Sequence, residues 1–198
     1  MKNAFVFPGQ GSQFVGMGKD LAENFASARE VFQEVDNTLN QNLFALMTGG
    51  PEHELTLTAN AQPALMANSM AVVRVLEKDF GIKLKDKASF VAGHSLGEYS
   101  AACAAGVFSL RDTAKLLRTR GEAMQQAVPV GVGGMAAVIG VSYQDVQALA
   151  EACADDNNLC VAANDNADGQ VVLSGHMAAI DKAVEIASEF GAKRCIKL

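Results

Sequence analysis

The residues whose types and spacing best suit chemistry lie in Gly93-His94-Ser95-Leu96-Gly97. They follow the short apolar run Ala88–Ala92. After them comes a stretch rich in small residues, among them Ser100, Ala101, Ala102, Ala104 and Ala105. This is the G-x-S-x-G pattern, in which a serine stands on a sharp turn between a strand and a helix. Glycines suit both ends because side chains would collide where the chain reverses so tightly. The Ser95 hydroxyl is then a candidate nucleophile. The Leu96 N–H, at a helix start, points toward negative charge forming beside it. The plainer alternative is a glycine-rich turn with an inert serine. The strand before and the small-residue helix after are the context the nucleophile requires, and they favour it.

A second candidate is Arg120. Leu110–Ala127 has helical periodicity. Arg111, Lys115, Arg118 and Glu122 fall on one stripe, expected to be solvated, and Ala114, Leu117, Gly121, Met124 and Val128 on an opposite stripe, expected to be buried. Arg120 fits neither. At ~100° per residue it is turned about 200° from Arg118 and lies between Leu117 and Met124. An arginine aimed inward needs an anion, because an unpaired buried charge is very costly. That anion is either a core carboxylate, in a structural salt bridge, or a substrate carboxylate gripped by the guanidinium fork. Spacing alone leaves the two open.

The elements that must position these residues follow from the rest of the chain. Asn3–Phe7 reads as a buried strand ending at Pro8-Gly9. The loop Gly9-Gln10-Gly11-Ser12-Gln13 suggests phosphate binding at first sight. Phe14 stands where a dinucleotide fingerprint needs a small residue, and Gly18-Lys19 leads into Asp20, so neither phosphate motif is met. Such a loop still suits the presentation of N–H donors to a cleft. Ala26–Leu39 is an amphipathic helix on Val31, Phe32, Val35 and Leu39. Gln62-Pro63 opens a longer helix that ends before Gly81. Its methionines, Met66 and Met70, suit an adaptable pocket but more simply a core. Lys83–Lys87 is a charged connector.

Pro129–Gly134 is a glycine-rich hinge and a domain boundary, dividing the chain into 1–128 and 129–198. Beyond it the expected order is strand Met135–Val141, helix Ser142–Ala154, strands Leu159–Ala163 and Gln170–Ser174, helix Met177–Phe190 and strand Arg194–Leu198. Ser142 and Asp145 have capping-box spacing. Asn164–Gly169 is a polar connecting loop. The order β-α-β-β-α-β is that of a ferredoxin-like unit, most simply a small lid.

Composition narrows the classes. Of 198 residues, 49% are hydrophobic and 19% charged, so a sizeable core is expected and disorder is not. The net charge of −6 argues against a broad nucleic-acid or anionic-membrane surface. Cys103, Cys153, Cys160 and Cys195 have neither metal-ligand nor redox spacing, and read as buried thiols of a reducing compartment. No metal site is expected. The N-terminus lacks a signal-peptide pattern, and Ala123–Gln144 is too rich in Gly, Pro and Gln for a membrane helix. The expected location is the cytoplasm.

Four stretches carry a resemblance to the malonyl-CoA:acyl-carrier-protein transacylases of bacterial fatty-acid synthesis. They are Phe7-Pro-Gly-Gln-Gly-Ser-Gln13, Gln62-Pro-Ala-Leu65, Gly93-His-Ser-Leu-Gly-Glu98 and Arg118-Thr-Arg-Gly-Glu-Ala-Met-Gln125. They stand in family order and spacing, and the similarity spans the chain. The resemblance implies an α/β fold, with an α/β-hydrolase-like parallel-sheet core and a ferredoxin-like subdomain. It implies that Ser95 is acylated, that Gln10 and the Leu96 N–H form the oxyanion hole, and that Arg120 grips the malonyl carboxylate, with Gln62 also binding substrate. It implies malonyl-CoA and acyl carrier protein as substrates, with no cofactor. Lys193, Arg194 and Lys197 are candidates for carrier docking, though a solvated strand end is the plainer reading. The family's serine-activating histidine follows the last strand of the subdomain. None of His53, His94 and His176 matches it, so no general base is expected in this chain. The expectation is a piece of a longer enzyme, weakly active alone. The rival classes are a serine thioesterase or esterase and a non-catalytic binding fragment.

Overall fold

The computed structural model describes residues 2–129 and 131–198. Val130, inside the expected hinge, lies outside the described residues. The chain divides into two compact units, Met1–Ala127 and Val128–Leu198, each with its own buried core.

The first unit carries strand β1 (Ala4–Phe7), helices α1 (Lys19–Asn24), α2 (Ala26–Leu39), α3 (Leu43–Gly49), α4 (Glu52–Thr56), α5 (Thr58–Lys78) and α6 (Leu84–Lys87), strand β2 (Phe90–Gly93), and helices α7 (Leu96–Ala104) and α8 (Leu110–Ala127). The two strands pair in parallel, Ala4 opposite Phe90 and Phe7 opposite Gly93. The core is built from α2, α5, α7 and α8 around Val31, Phe32, Leu65, Met66, Leu96 and Leu117. Met66 and Met70 are core residues, so the methionines of α5 pack rather than line a pocket. Two boundaries differ from expectation. Helix α5 begins at Thr58, four residues before Gln62, and Pro63 sits inside it. Pro63 is the sixth residue of the helix, so it forgoes one bond, to the Ala59 carbonyl, in the second turn. The charged connector before β2 also winds into a short turn of helix, α6.

The second unit runs β3 (Gly133–Ile139), α9 (Tyr143–Cys153), β4 (Cys160–Ala167), β5 (Gln170–His176), α10 (Met177–Ile186), a turn of 3-10 helix (Ala187–Phe190) and β6 (Arg194–Lys197). Its antiparallel sheet has the spatial order β4-β5-β3-β6. Helix α9 starts as the sequence predicts. The Ser142 hydroxyl accepts from the Asp145 amide, and the Asp145 carboxylate accepts from the Ser142 amide. Both helices pack on one face of the sheet, where Val146, Leu149, Ala179 and Ile180 meet Ala136, Val138, Val171 and Leu173. The expected polar loop after β4 is mostly strand. Asn164–Ala167 continue β4 through two register shifts, leaving Asp168-Gly169 as a two-residue turn. Gly169 has a φ of 72°, a left-handed value that favours glycine.

Candidate active site

The turn at Ser95 is fixed by the ends of both parallel strands. The His94 amide donates to the Phe7 carbonyl at 3.2 Å, carrying the pairing one residue past β2. A Cβ at Gly93 would lie 1.9 Å from the Gly97 carbonyl carbon, and one at Gly97 would lie 2.4 Å from the Phe7 carbonyl oxygen. The first turn of α7 therefore sits directly on the strand ends, and only glycine fits at either position. Between them Ser95 adopts φ 55°, ψ −112°, one of two non-glycine residues with positive φ among those described. Such a conformation costs on the order of 1–3 kcal/mol and must be held by its surroundings. It leaves Ser95 exposed while Leu96 is buried. The Leu96 amide is the first of α7, among those a helix leaves without an internal partner.

Arg120 reaches this hydroxyl. Its Nη2 donates to Ser95 Oγ at 2.9 Å, and its Nη1 donates to Gln62 Oε1 at 2.6 Å. The guanidinium carbon lies 5.8 Å from the centroid of the Tyr99 ring. Gln62 is fully buried, and its Nε2 contacts Met124 Sδ at 3.3 Å. Between the two anions that spacing left open, a structural salt bridge is not what is found. Among the described residues no carboxylate pairs with Arg120; its partners are a hydroxyl, a carboxamide and an aromatic face. A half-buried cation with neutral partners, beside an exposed hydroxyl, keeps charge that an incoming anion would neutralise.

Gln10 is exposed at the end of β1, and its Nε2 donates to Thr58 Oγ1 at 3.2 Å. The first turn of α5 thus holds Gln10 through Thr58, and the next residues of the same helix hold Arg120 through Gln62. The sequence reasoning missed Thr58 and Tyr99. Tyr99 follows Ser95 by four residues on a helix, a spacing that puts it on the nucleophile's side. Thr58 gave no signal.

The histidines do not supply an obvious base. His53 is exposed on α4. His176 Nδ1 accepts from the Leu159 amide at 2.7 Å inside the second unit. The His94 ring packs against Gly9, where a Cβ would lie 2.5 Å from its Nδ1.

Helix α8 departs from its expected faces. Met124 and Val128 are about half exposed, at 48% and 49%, and Gly121 is the last residue that α8 buries. Arg118 is not solvated. It is half-buried, and it donates to Gln41 Oε1 and, at 3.1 Å, to Asn60 Oδ1. Burial pushes its guanidinium below the ordinary arginine range, against the opposing effect of Glu122.

The expected burial holds for three of the four thiols. Cys103, Cys153 and Cys160 are buried and Cys195 half-buried, all unpaired, and burial raises each one, Cys160 to about 11. Among the described residues no three His, Cys, Asp or Glu side chains converge as metal ligands. No helix there is long and apolar enough to cross a membrane. Of the candidate docking cations, Lys197 is engaged by Asp181.

Residues 4–197 match the sequence pattern of the family described as the acyl transferase domain. The chain belongs to that family. Among its relatives, the malonyl CoA-acyl carrier protein transacylase of Bacillus subtilis is 47% identical over 197 residues. That alignment takes in all of this chain and 61% of the relative. The crystal structure of the acyl-carrier-protein-S-malonyltransferase from Bartonella henselae superposes with a TM-score of 0.92 at 58% identity, over all of this chain and 62% of that one. A third family member, in a structure of a type II PKS acyl-carrier protein in complex with its malonyl-transacylase, gives a TM-score of 0.90 at 40% identity, again over all of this chain and 62% of that one. This acyl transferase chain thus spans somewhat under two thirds of the length of the relatives it matches.

Proposed function

We propose that this chain carries the nucleophile and acid-recognising half of a malonyl transferase, moving a malonyl group from coenzyme A to the phosphopantetheine thiol of an acyl carrier protein. The observation that carries this reading is the Arg120 guanidinium bonded at once to Ser95 Oγ and Gln62 Oε1. A malonyl thioester has one methylene between its carboxylate and its reacting carbonyl. A cation this close to the nucleophile matches that length. A thioesterase for plain acyl chains would leave Arg120 facing apolar atoms, so the geometry favours the transferase.

In the first half-reaction Ser95 Oγ attacks the thioester carbonyl of malonyl-CoA. Its proton passes to a general base not assigned among His53, His94 and His176. The oxyanion lies toward the Leu96 N–H and the Gln10 side chain, each worth about 2–4 kcal/mol to the transition state if it behaves like a typical oxyanion donor. Collapse expels the CoA thiolate and leaves malonyl-Ser95. The carrier thiol then attacks that ester and regenerates the hydroxyl. The malonyl carboxylate takes the Arg120 donor that otherwise reaches Ser95, while Gln62 and Tyr99 keep the fork aligned. No metal or cofactor takes part.

We also assign the finer fold. The parallel β1–β2 pair feeding the serine turn supports an α/β-hydrolase-like first unit. The β4-β5-β3-β6 order with two helices on one face supports a ferredoxin-like second unit.

The test is incubation with malonyl-CoA and acetyl-CoA, followed by intact and peptide mass analysis. A malonyl adduct on Ser95, lost in Ser95→Ala and lost selectively over acetyl in Arg120→Ala, is expected. A folded protein that neither binds nor is acylated by malonyl-CoA returns the assignment to a fragment without this chemistry.

A further inference from the structure

We propose that Arg118 is a positioning residue for the Arg120 fork, acting through a clamp that locks α8 to the start of α5 and the end of α2. This rests on the malonyl-recognition reading above and concerns how that recognition is built.

The clamp has three grips within four residues of α8. Arg118 donates to Gln41 Oε1 and to Asn60 Oδ1. Gly121 lies against α5 so closely that a Cβ there would be 2.7 Å from both the Ala59 Cα and the Thr58 carbonyl oxygen. Arg120, between them, donates to Gln62. The α5 partners fall within its first five residues: Thr58 and Ala59 under Gly121, Asn60 under Arg118, Gln62 under Arg120. Asn60 is itself tied down. Its Oδ1 also accepts from Gln41 Nε2 at 3.2 Å, and its Nδ2 donates to the Glu54 carbonyl at 2.9 Å.

The chemistry of the clamp indicates why it is there. A half-buried guanidinium would ordinarily find a carboxylate. Among the described residues Arg118 has none within ion-pair distance, and it is held by two carboxamide oxygens. Neutral acceptors fix a planar fork in direction without cancelling its charge. The arrangement therefore sets the rotation and height of α8 relative to α5, and Arg120 and Gln62 inherit that setting. Gripping a carboxylate with two parallel hydrogen bonds tolerates little error, on the order of 0.5 Å. Loss of the clamp should therefore impair recognition of an acid group and spare that of a neutral one.

The experiment measures dissociation constants of malonyl-CoA and acetyl-CoA by calorimetry for this chain and its variants. Wild type is expected to prefer malonyl-CoA. Arg118→Met is expected to weaken malonyl-CoA about tenfold, a typical coupling within one hydrogen-bonded network, and acetyl-CoA less than about twofold. In an Arg120→Met background, Arg118→Met should change neither ligand further, and Arg118→Lys should restore part of the preference. Gln41→Met, which removes one acceptor and leaves Asn60 in place, gives a smaller loss in the same direction and serves if Arg118→Met fails to fold. Equal weakening of both ligands, or an unchanged preference in both the Arg118→Met and Gln41→Met variants, overturns the positioning role alone. Wild type that does not distinguish the two ligands overturns the malonyl reading, and the inference with it.

Discussion

The two sheets of this chain are built on opposite plans. In the second unit an antiparallel sheet of four strands buries one face under α9 and α10, and Ala136, Val138, Leu173 and Ile180 are fully buried there. In the first unit two parallel strands carry the serine turn. The register puts Ala4 and Val6 with Phe90 and Ala92 on one face, and all four are exposed, Val6 at 76% and Phe90 at 61%. Parallel strands are ordinarily covered on both faces, and antiparallel sheets commonly are not. The second unit satisfies its own requirements. The first holds its chemistry at the end of a strand pair with one bare apolar face. Its stability must come from the helical core around α5, which the strands touch through Phe5, Phe7 and Val91.

The largest effect that would break this contrast is at the turn itself. Gly97→Val forces a β-carbon against the Phe7 and Pro8 carbonyls. It should cost more than about 4 kcal/mol, the range of severe backbone conflicts, and unfold the first unit in a urea titration while the second keeps its transition. Next comes the second unit's independence. An excised 128–198 fragment should fold cooperatively, and Ile180→Ala within it should cost about 2–5 kcal/mol, as large-to-small changes in a closed core do. A fragment that stays unfolded would show that its core is not self-sufficient.

The same contrast explains what the sequence revealed. The bounds of α2 and α8 were legible to the residue, because each carries an apolar period over several turns. The capping box at Ser142 and the turn at Ser95 were legible because each is a local constraint with its own residue signature. Arg120 stood out because it broke a periodicity. Arg118 was misread for the opposite reason. It continued a polar stripe, and only the arrival of Gln41 and Asn60 from distant parts of the chain makes that position interior. Met124 and Val128 follow the helical period, yet both lie past Gly121, the last residue that α8 buries. Short helices such as α1, α3 and α4 carry too few turns for a period to be read. The bulged continuation of β4 through Asn164 and Asp165 runs against residue preference, and pairing with β5 overrides it.

Changes on the bare face should be small. Val6→Thr and Phe90→Thr are expected to shift unfolding by less than about 0.5 kcal/mol, the usual scale for exposed positions, and to lower binding of an apolar dye. A loss of several kcal/mol from Phe90→Thr would mean that this face is packed in solution.

The smallest effects come from two carboxylates, whose contributions to their own units should change in opposite directions as the pH falls. Asp36, in the first unit, is held above its ordinary 3.8 by burial, against the Phe44 amide that donates to it at 3.0 Å. Its native state takes up a proton sooner than the unfolded chain. Asp36 therefore contributes more stability as pH falls through its raised value, with the full gain below 3.8. Asp155, in the second unit, is held below 3.8 first by the Asn158 side chain and then by the Asn157 amide. Its contribution is complete above 3.8 and is lost as pH falls through its lowered value. Asp36→Asn should therefore stabilise at neutral pH and lose that advantage on acidification. Asp155→Asn should destabilise at neutral pH and converge on wild type in acid. Urea titrations of each variant at both ends of that range read the two signs directly, and a common sign would mean that burial does not govern Asp36.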